Sequence, residues 1–264
     1  MKILFIGDVV GKAGRKAINQ LVPQLRTEVA PDLVVANIEN LAHGKGITTK
    51  TFEEIKSAGV DFYTGGNHSL AKPEANSLFE QDLPLIRPAN FDAALPGKGF
   101  KEVAAGSRKV LVINLVGQVF ITDAEYRNPF KEIDQILAQI NPADYAAIIV
   151  DFHAEATSEK LAFAHYVDGR VSAVFGTHTH VPTADAHVMP GGTAYVTDVG
   201  MVGIRDSVIG VGKEAAIRSF LQESKLGKTV PEEGLVDLGA VLVEVDPASR
   251  KAGGITRLDR TVQV

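Results

Sequence analysis

Ile3-Leu4-Phe5-Ile6 is a continuous apolar run closed by Gly7-Asp8, the pattern of a β-strand covered on both faces. Leu33 to Ile38 repeats that pattern and delivers Glu39-Asn40 to its end, and Val60 to Thr64 delivers Gly65-Gly66-Asn67-His68. Between the first two runs, Ala13, Ala17, Leu21 and Leu25 recur at every fourth position. That spacing predicts a helix from Lys12 to about Glu28, with an interruption near Pro23. A second helix is expected over Thr51 to Ala58. Strand and helix alternate, and each strand carries a polar cluster to the same edge, as in an α/β sheet with one functional rim.

The middle of the chain is less regular. Leu85 to Ala89 reads as a short strand, and Gly99 to Ala104 with Lys109 to Leu115 reads as a hairpin turning at Gly106-Ser107. Gln118 to Asn128 fits no period and is expected to form a lid or edge loop. Phe130 to Ile140 is helical, Ala146 to Val150 is a buried strand leading into Asp151-Phe152-His153, and Ser158 to Tyr166 is the next helix. Val171 to Phe175 is a further strand and ends in Gly176-Thr177-His178-Thr179-His180. A second hairpin joins Ala184 to Val188 with Thr193 to Thr197, Lys213 to Leu221 suits a helix, and Gly239 to Val245 pairs with Ile255 to Val264. The strand-rich final third favours two packed sheets flanked by helices, in one domain over residues 1–264.

Composition narrows the chemistry. With 45% hydrophobic and 22% charged residues the chain can bury a sizeable core. It has no cysteine, so any metal must be held by His, Asp, Glu, Asn or water. A formal net charge of −5 argues against a broad footprint for long nucleic acid, but leaves room for a small phosphorylated ligand at a local positive site. No apolar run reaches the roughly 18 residues of a membrane span, and the start carries no cationic leader. A cytoplasmic protein is expected.

Five strand ends carry Asp8, Glu39 with Asn40, Asn67 with His68, His153, and His178 with His180. Taken singly, Asp8 and Asn67 read as caps and His153 as a hydrogen-bonded edge residue. Gathered on one rim, two carboxylates, two amides and the histidines suit a pair of iron, manganese or zinc ions. A bridging carboxylate is needed between them, and Glu39 is the candidate. Two dications with two carboxylates and one hydroxide keep roughly one positive charge, which attracts a phosphate ester. His43, His165 and His187 are left as surface or packing residues. The glycines of Leu41-Ala42-His43-Gly44-Lys45-Gly46 serve turns or, in a second reading, a phosphate-contacting loop.

Gly7-Asp8, Gly66-Asn67-His68 and Gly176-Thr177-His178-Thr179-His180, in this order, resemble the calcineurin-like metallophosphoesterase superfamily. The strings Phe5 to Gly11, Asp151 to Lys160 and Gly192 to Met201 look like its YmdB-like bacterial branch, and the similarity spans essentially the whole chain. The resemblance implies a four-layer α/β/β/α sandwich, a dinuclear iron or manganese centre of divalent or mixed-valence ions, and phosphodiesterase activity on 2′,3′-cyclic nucleotides. It places Asp8, Glu39, Asn40 and His180 on one ion and Glu39, Asn67, His153 and His178 on the other. His68 becomes the proton donor to the departing ribose oxygen while a metal-bridging hydroxide attacks phosphorus.

Two departures qualify it. Val10 stands where the superfamily has the histidine of Asp-x-His, so Asn40 would supply an amide oxygen in its place and favour harder ions. Closer relatives follow Gly-Asn-His with Thr-Trp-Asp, whereas this chain has Ser69-Leu70-Ala71, which changes base stacking, loop anchoring or the environment of His68. The other readings are a phosphomonoesterase on the same site and a nucleotide-sensing regulatory protein with slow turnover. Expected partners are a small phosphodiester or cyclic nucleotide and RNA ends, with no membrane. A homo-oligomer is expected on no feature of the residue pattern.

Overall fold

The computed structural model of the protein describes residues 1–222 and 229–264. In chain order its elements are β1 (Lys2–Ile6), β2 (Asp8–Val9), α1 (Gly11–Val29), β3 (Leu33–Asn37), α2 (Thr49–Lys56), β4 (Phe62–Thr64), α3 (Ala75–Phe79), β5 (Phe100–Ala105), β6 (Arg108–Val116), α4 (Pro129–Ala138), β7 (Ala147–His153), α5 (Thr157–Val167), β8 (Ala173–Thr177), β9 (His187–Val188), β10 (Ala194–Val196), β11 (Met201–Ile204), α6 (Lys213–Phe220), β12 (Leu235–Leu238), β13 (Ala240–Val245), β14 (Ala252–Arg257) and β15 (Arg260–Gln263). They form a five-stranded sheet, β14-β13-β1-β3-β4, a six-stranded sheet, β5-β6-β7-β8-β10-β9, and a four-stranded sheet, β15-β12-β11-β2. Among the described residues no helix is long and apolar enough to cross a membrane.

Side-chain alternation along the central strands sorts the core into layers. Ile3, Phe5, Leu33 and Val35 on the five-stranded sheet meet Val110, Val112, Ala147, Ile149, Ala173 and Phe175 on the six-stranded one. The opposite face of the first sheet, with Leu4, Ile6, Val34 and Ala36, packs on α1 and α2, and α1 also covers Val202 and Val236 of the four-stranded sheet. The opposite face of the six-stranded sheet, with Leu111, Ile113, Ile148 and Val150, packs on Ile133 and Ile136 of α4 and on Phe163, Ala164 and Val167 of α5. This is the four-layer α/β/β/α sandwich. β1, β3 and β4 run parallel, as do β6, β7, β8 and β10, so their carboxyl ends share one rim.

Four expectations need correction. α1 is not interrupted at Pro23. Asn19 and Pro23 are both exposed, so water can satisfy the carbonyl that proline leaves without a donor, while Ala17, Ile18, Leu21, Val22 and Leu25 hold the helix to the core. Leu85 to Ala89 is no strand, because its donors go to different elements. Ile86 N–H bonds Tyr63 O of β4, Arg87 N–H bonds Lys98 O, and Ala89 N–H bonds Asn114 O of β6. The segment stitches one sheet to the other. Ala147 to His153 is a single strand, so His153 lies inside β7 and not after it.

The last correction concerns the C-terminal pair. β14 pairs with β13 as expected, but β15 leaves that sheet and pairs with β12. The chain crosses between the same two sheets at Gly7 and again at Gly239. There Gly7 N–H bonds Gly239 O at 3.0 Å, and a Cβ on Gly7 would collide with Gly200 O. A third sheet of short strands joined through such crossings carries no period long enough to read.

Between the two large sheets the rings of Phe5 and Phe175 stack at 4.3 Å with 15° between planes. Phe5→Ala opens a cavity between two layers that cannot collapse. It should lower unfolding free energy by about 3–5 kcal/mol, read as a lower urea midpoint with unchanged slope.

Candidate metal centre

β7 keeps the alternation that points Ala147 and Ile149 between the sheets, so Asp151 and His153 continue on that side. The Asp151 carboxylate is fully buried. It accepts from Asn37 Nδ2 at 2.9 Å, Thr64 Oγ1 at 2.5 Å and Thr177 Oγ1 at 2.6 Å. Those partners end β3, β4 and β8, and each is followed by candidate residues. Burial pushes the Asp151 carboxyl up to about 7.

The rim brings the candidates together. Around His153 Nε2 lie His178 Nδ1 at 3.0 Å, Asn67 Oδ1 at 3.1 Å and Glu39 Oε1 at 3.2 Å. Glu39, His153 and His178 each offer a donor atom within 4.8 Å of the others. On the other side of Glu39, Asn40 Nδ2 lies 3.2 Å from Glu39 Oε1 and 3.2 Å from His180 Nε2, which is 3.9 Å from Asp8 Oδ1. His178 and His180 thus face different groups of ligand-type atoms. His68 sits over the cluster with Nδ1 3.0 Å from Asn40 Oδ1 and 3.3 Å from Glu39 Oε1, while its backbone N–H donates to Glu39 Oε2 at 2.8 Å.

Each of the three clustered imidazoles is fixed by one outward bond. His153 Nδ1 pairs with Thr177 Oγ1 at 2.9 Å, His178 Nε2 with Glu155 Oε2 at 3.1 Å, and His180 Nδ1 with Ile209 O at 2.8 Å. Each pairing assigns the outward nitrogen as donor and aims the other, as a lone pair, into the cluster. Asp8 Oδ1 is buried and has no hydrogen-bond partner, the one such side-chain atom among the described residues. Gly66 leaves space that a Cβ would fill, against Glu39 Oε2 and His153 Nε2. An orphaned carboxylate oxygen, three oriented lone pairs and a second carboxylate on one rim make a donor set that fits divalent cations. Asn40 fits less directly, because its oxygen faces His68 and its amide nitrogen faces Glu39 and His180. A half-turn of the carboxamide exchanges them.

The buried carboxylates also draw positive charge toward the cluster, onto His153 in the absence of a cation. Burial raises the Asp8 carboxyl above its ordinary value. Burial opposes the charge on Glu39 too, but His153 and His68 hold that carboxyl well below the usual range. Burial also opposes a proton on His153, yet Glu39, Asp8 and Asp151 lift it to about 9. His178 is pushed down to about 3 by burial and by the neighbouring His153.

The His178 to His180 loop is not an extended strand end with alternating side chains. Both histidines have left-handed backbones, with φ of 100° and 66°. The strain is held by two buried carboxylates. Asp8 Oδ2 accepts His178 N–H at 3.1 Å, and Asp198 Oδ2 accepts Thr179 N–H at 3.1 Å and its hydroxyl at 2.8 Å. Asp198 is in turn paired with Lys160 Nζ at 2.8 Å, with both side chains wholly buried.

Sequence reasoning gave no role to Asp151, Lys160 or Asp198. Asp198 follows β10 at the same rim and Asp151 shares the parity of His153, so a signal existed. Ser69 takes up the loop anchoring that the departure from Thr-Trp-Asp put in question. It is buried, and its hydroxyl accepts Gly66 N–H at 2.9 Å and donates to Gly66 O at 2.8 Å. His43 and Lys45, both at the surface, line the same open cleft of about 520 Å³ as Glu39, His68, His178 and His180.

The family model described as YmdB-like protein matches residues 4–258. The chain belongs to the YmdB-like family. Within reach of this YmdB-like chain, the 2′,3′-cyclic-nucleotide 2′-phosphodiesterase of Bacillus subtilis (strain 168) is 44% identical over 258 residues, covering 98% of this chain and 96% of that protein. The crystal structure of a novel phosphatase from Mycoplasma pneumoniae superposes with a TM-score of 0.92 at 38% identity, over 100% of this chain and 94% of that one. A putative 5′-nucleotidase from Staphylococcus aureus superposes with a TM-score of 0.62 at 15% identity, over 98% of this chain and 54% of that one, and shows the shared fold alone. The YmdB-like chain is an enzyme of this phosphodiesterase and phosphatase family.

Two outcomes follow from the site. Lys160→Met leaves the buried Asp198 charge unpaired beneath a strained loop and should cost about 3–5 kcal/mol in urea unfolding. In chelator-treated protein, the His153 proton contributes stability that is fully present below pH 6.5, its ordinary value, and is lost as pH rises through about 9. Urea midpoints should therefore fall between pH 6.5 and 9.5, and His153→Gln should flatten that slope.

Proposed function

We propose that the protein is a dinuclear metal-dependent phosphodiesterase acting on 2′,3′-cyclic nucleotides or related phosphodiesters, with residues 1–264 as one catalytic domain. The observation that carries this reading is Glu39, whose Oε1 lies 3.2 Å from both His153 Nε2 and Asn40 Nδ2, between the two groups of donors. In this reading Asp8, Glu39, Asn40 and His180 hold one ion and Glu39, Asn67, His153 and His178 the other, with iron or manganese as the metals. Dications so held lower the pKa of a bound water toward neutrality and neutralise charge gathering on phosphorus. The name of the Bacillus subtilis relative supports the substrate class, and RNA ends bearing a cyclic phosphate fall within it.

The chain's own residues supply the rest. His43 and Lys45 flank the cleft and draw in the phosphate. Water adds to phosphorus and releases a proton to solvent, one ribose P–O bond breaks, and a proton from His68 ends on the departing oxygen, leaving a nucleoside monophosphate and a ring that solvent reprotonates. Glu39 and Asn40 both contact His68 Nδ1 and hold the ring over the cluster. A phosphomonoesterase on the same residues is the second reading, favoured by the description of the Mycoplasma pneumoniae neighbour as a phosphatase.

Purified protein given Mn²⁺ should hydrolyse a 2′,3′-cyclic nucleotide faster than the corresponding monoester; the reverse order selects the second reading. Glu39→Ala and His178→Ala should abolish turnover and lower bound Mn²⁺, and unchanged activity in either sinks the proposal. His68→Ala should retain Mn²⁺ and lose about 10²- to 10⁴-fold in kcat.

A further inference from the structure

The loop between β6 and α4 contains no helix or strand, yet it is pinned at both ends. Asn90 Nδ2 donates to Val116 O at 2.7 Å and to Arg127 O at 2.8 Å. Glu159, buried on α5, accepts Gln118 N–H at 2.9 Å and Val119 N–H at 3.1 Å. The Arg127 guanidinium donates to Phe91 O at 2.5 Å and Ala89 O at 2.7 Å. Strapped in this way, the loop brings Asp123 to the edge of the cluster. Asp123 Oδ2 accepts from Asn67 Nδ2 at 3.0 Å, and its other oxygen accepts from Tyr126 Oη at 2.7 Å.

A carboxamide looks nearly alike from either end but offers a donor at one and an acceptor at the other. A carboxylate accepts and cannot donate. Asp123 therefore permits one orientation of Asn67, with Nδ2 outward and Oδ1 inward, and Oδ1 does lie 3.1 Å from His153 Nε2. The same rule acts on Asn40, where the Glu39 carboxylate and His180 Nε2 take the amide nitrogen, each at 3.2 Å, and the oxygen faces His68.

We propose that Asp123 is a positioning residue that locks the Asn67 carboxamide with its oxygen toward the metal-ligand cluster, and that Tyr126 orients Asp123 for this task. The inference rests on the reading of Asn67 as a metal ligand. Asp123→Asn keeps the size of the side chain but offers a donor as well as an acceptor, so either Asn67 orientation becomes allowed. Loss of an outer partner of this kind weakens metal binding by about 10- to 100-fold.

The test is calorimetric titration of the full chain with Mn²⁺ alone, for wild type, Asp123→Asn, Tyr126→Phe and Asn67→Ala, alongside thermal melting of each metal-free protein. The proposal expects two sites in wild type. In Asp123→Asn one of them is weakened about 10- to 100-fold, in Asn67→Ala the same one is lost or weakened further, and Tyr126→Phe falls between wild type and Asp123→Asn. Metal-free Asp123→Asn should melt with wild type, since Asp123 is exposed. Wild-type affinity at both sites of Asp123→Asn, with one site impaired in Asn67→Ala, overturns the inference and leaves the proposed function standing. Melting of metal-free Asp123→Asn well below wild type also overturns it, making Asp123 a strut. Wild-type affinity at both sites of Asn67→Ala removes the ligand reading itself, and the inference with it.

Discussion

A single buried carboxylate holds the rim together. Asp151 on β7 takes hydrogen bonds from the last turns of three other strands, through Asn37, Thr64 and Thr177. These strands belong to both large sheets, and each leads directly into site residues: Glu39 and Asn40, Asn67 and His68, His178 and His180. A buried acceptor left unsatisfied is expensive, so the three donors and the carboxylate constrain one another. Thr177 passes the constraint on, since the hydroxyl that donates to Asp151 also receives His153 Nδ1. The spacing between the two sheets and the direction of the central imidazole are set by the same four side chains.

A second buried carboxylate performs a similar task one strand away. Asp198 holds the loop that bears His178 and His180 in a backbone geometry that neither histidine would adopt by preference. Lys160 neutralises it from α5, beneath the loop. The functional rim thus stands on a layer of buried polar groups that never touch substrate. Their satisfaction converts loops into fixed points, as a site holding ligands within fractions of an ångström requires.

Much of this was readable from the residues. Runs such as Ile3 to Ile6 and Leu33 to Ile38 declare buried parallel strands, and the polar residues closing them declare the rim. What escaped was decided by contacts between distant segments. β2 is two residues long and exists because Asp8 and Val9 pair with Met201 and Val202. Pro23 reads as a break in any sequence pattern, but exposure on the outer face of α1 lets the helix pass through it. Leu85 to Ala89 has the composition of a strand and spends its donors on two sheets. The outward partners of the histidines, Thr177, Glu155 and Ile209, are likewise set by the fold and not by spacing.

The crossing at Gly7 has a consequence for how the chain acquires its site. Lys2 to Ile6 occupy the middle of the first sheet, between β3 and β13, and Asp8 is seated by the N–H bond from its own backbone to Gly200 O. The first candidate ligand to be synthesised is among the last to be positioned, since its side-chain partner His178 lies 170 residues downstream and its backbone partner Gly200 lies further still. Pairing across such a separation is slow and is reached late in folding. During translation, Glu39, His68 and His153 emerge without the partner that completes their cluster. The site assembles only when the last strands of the chain close around the first.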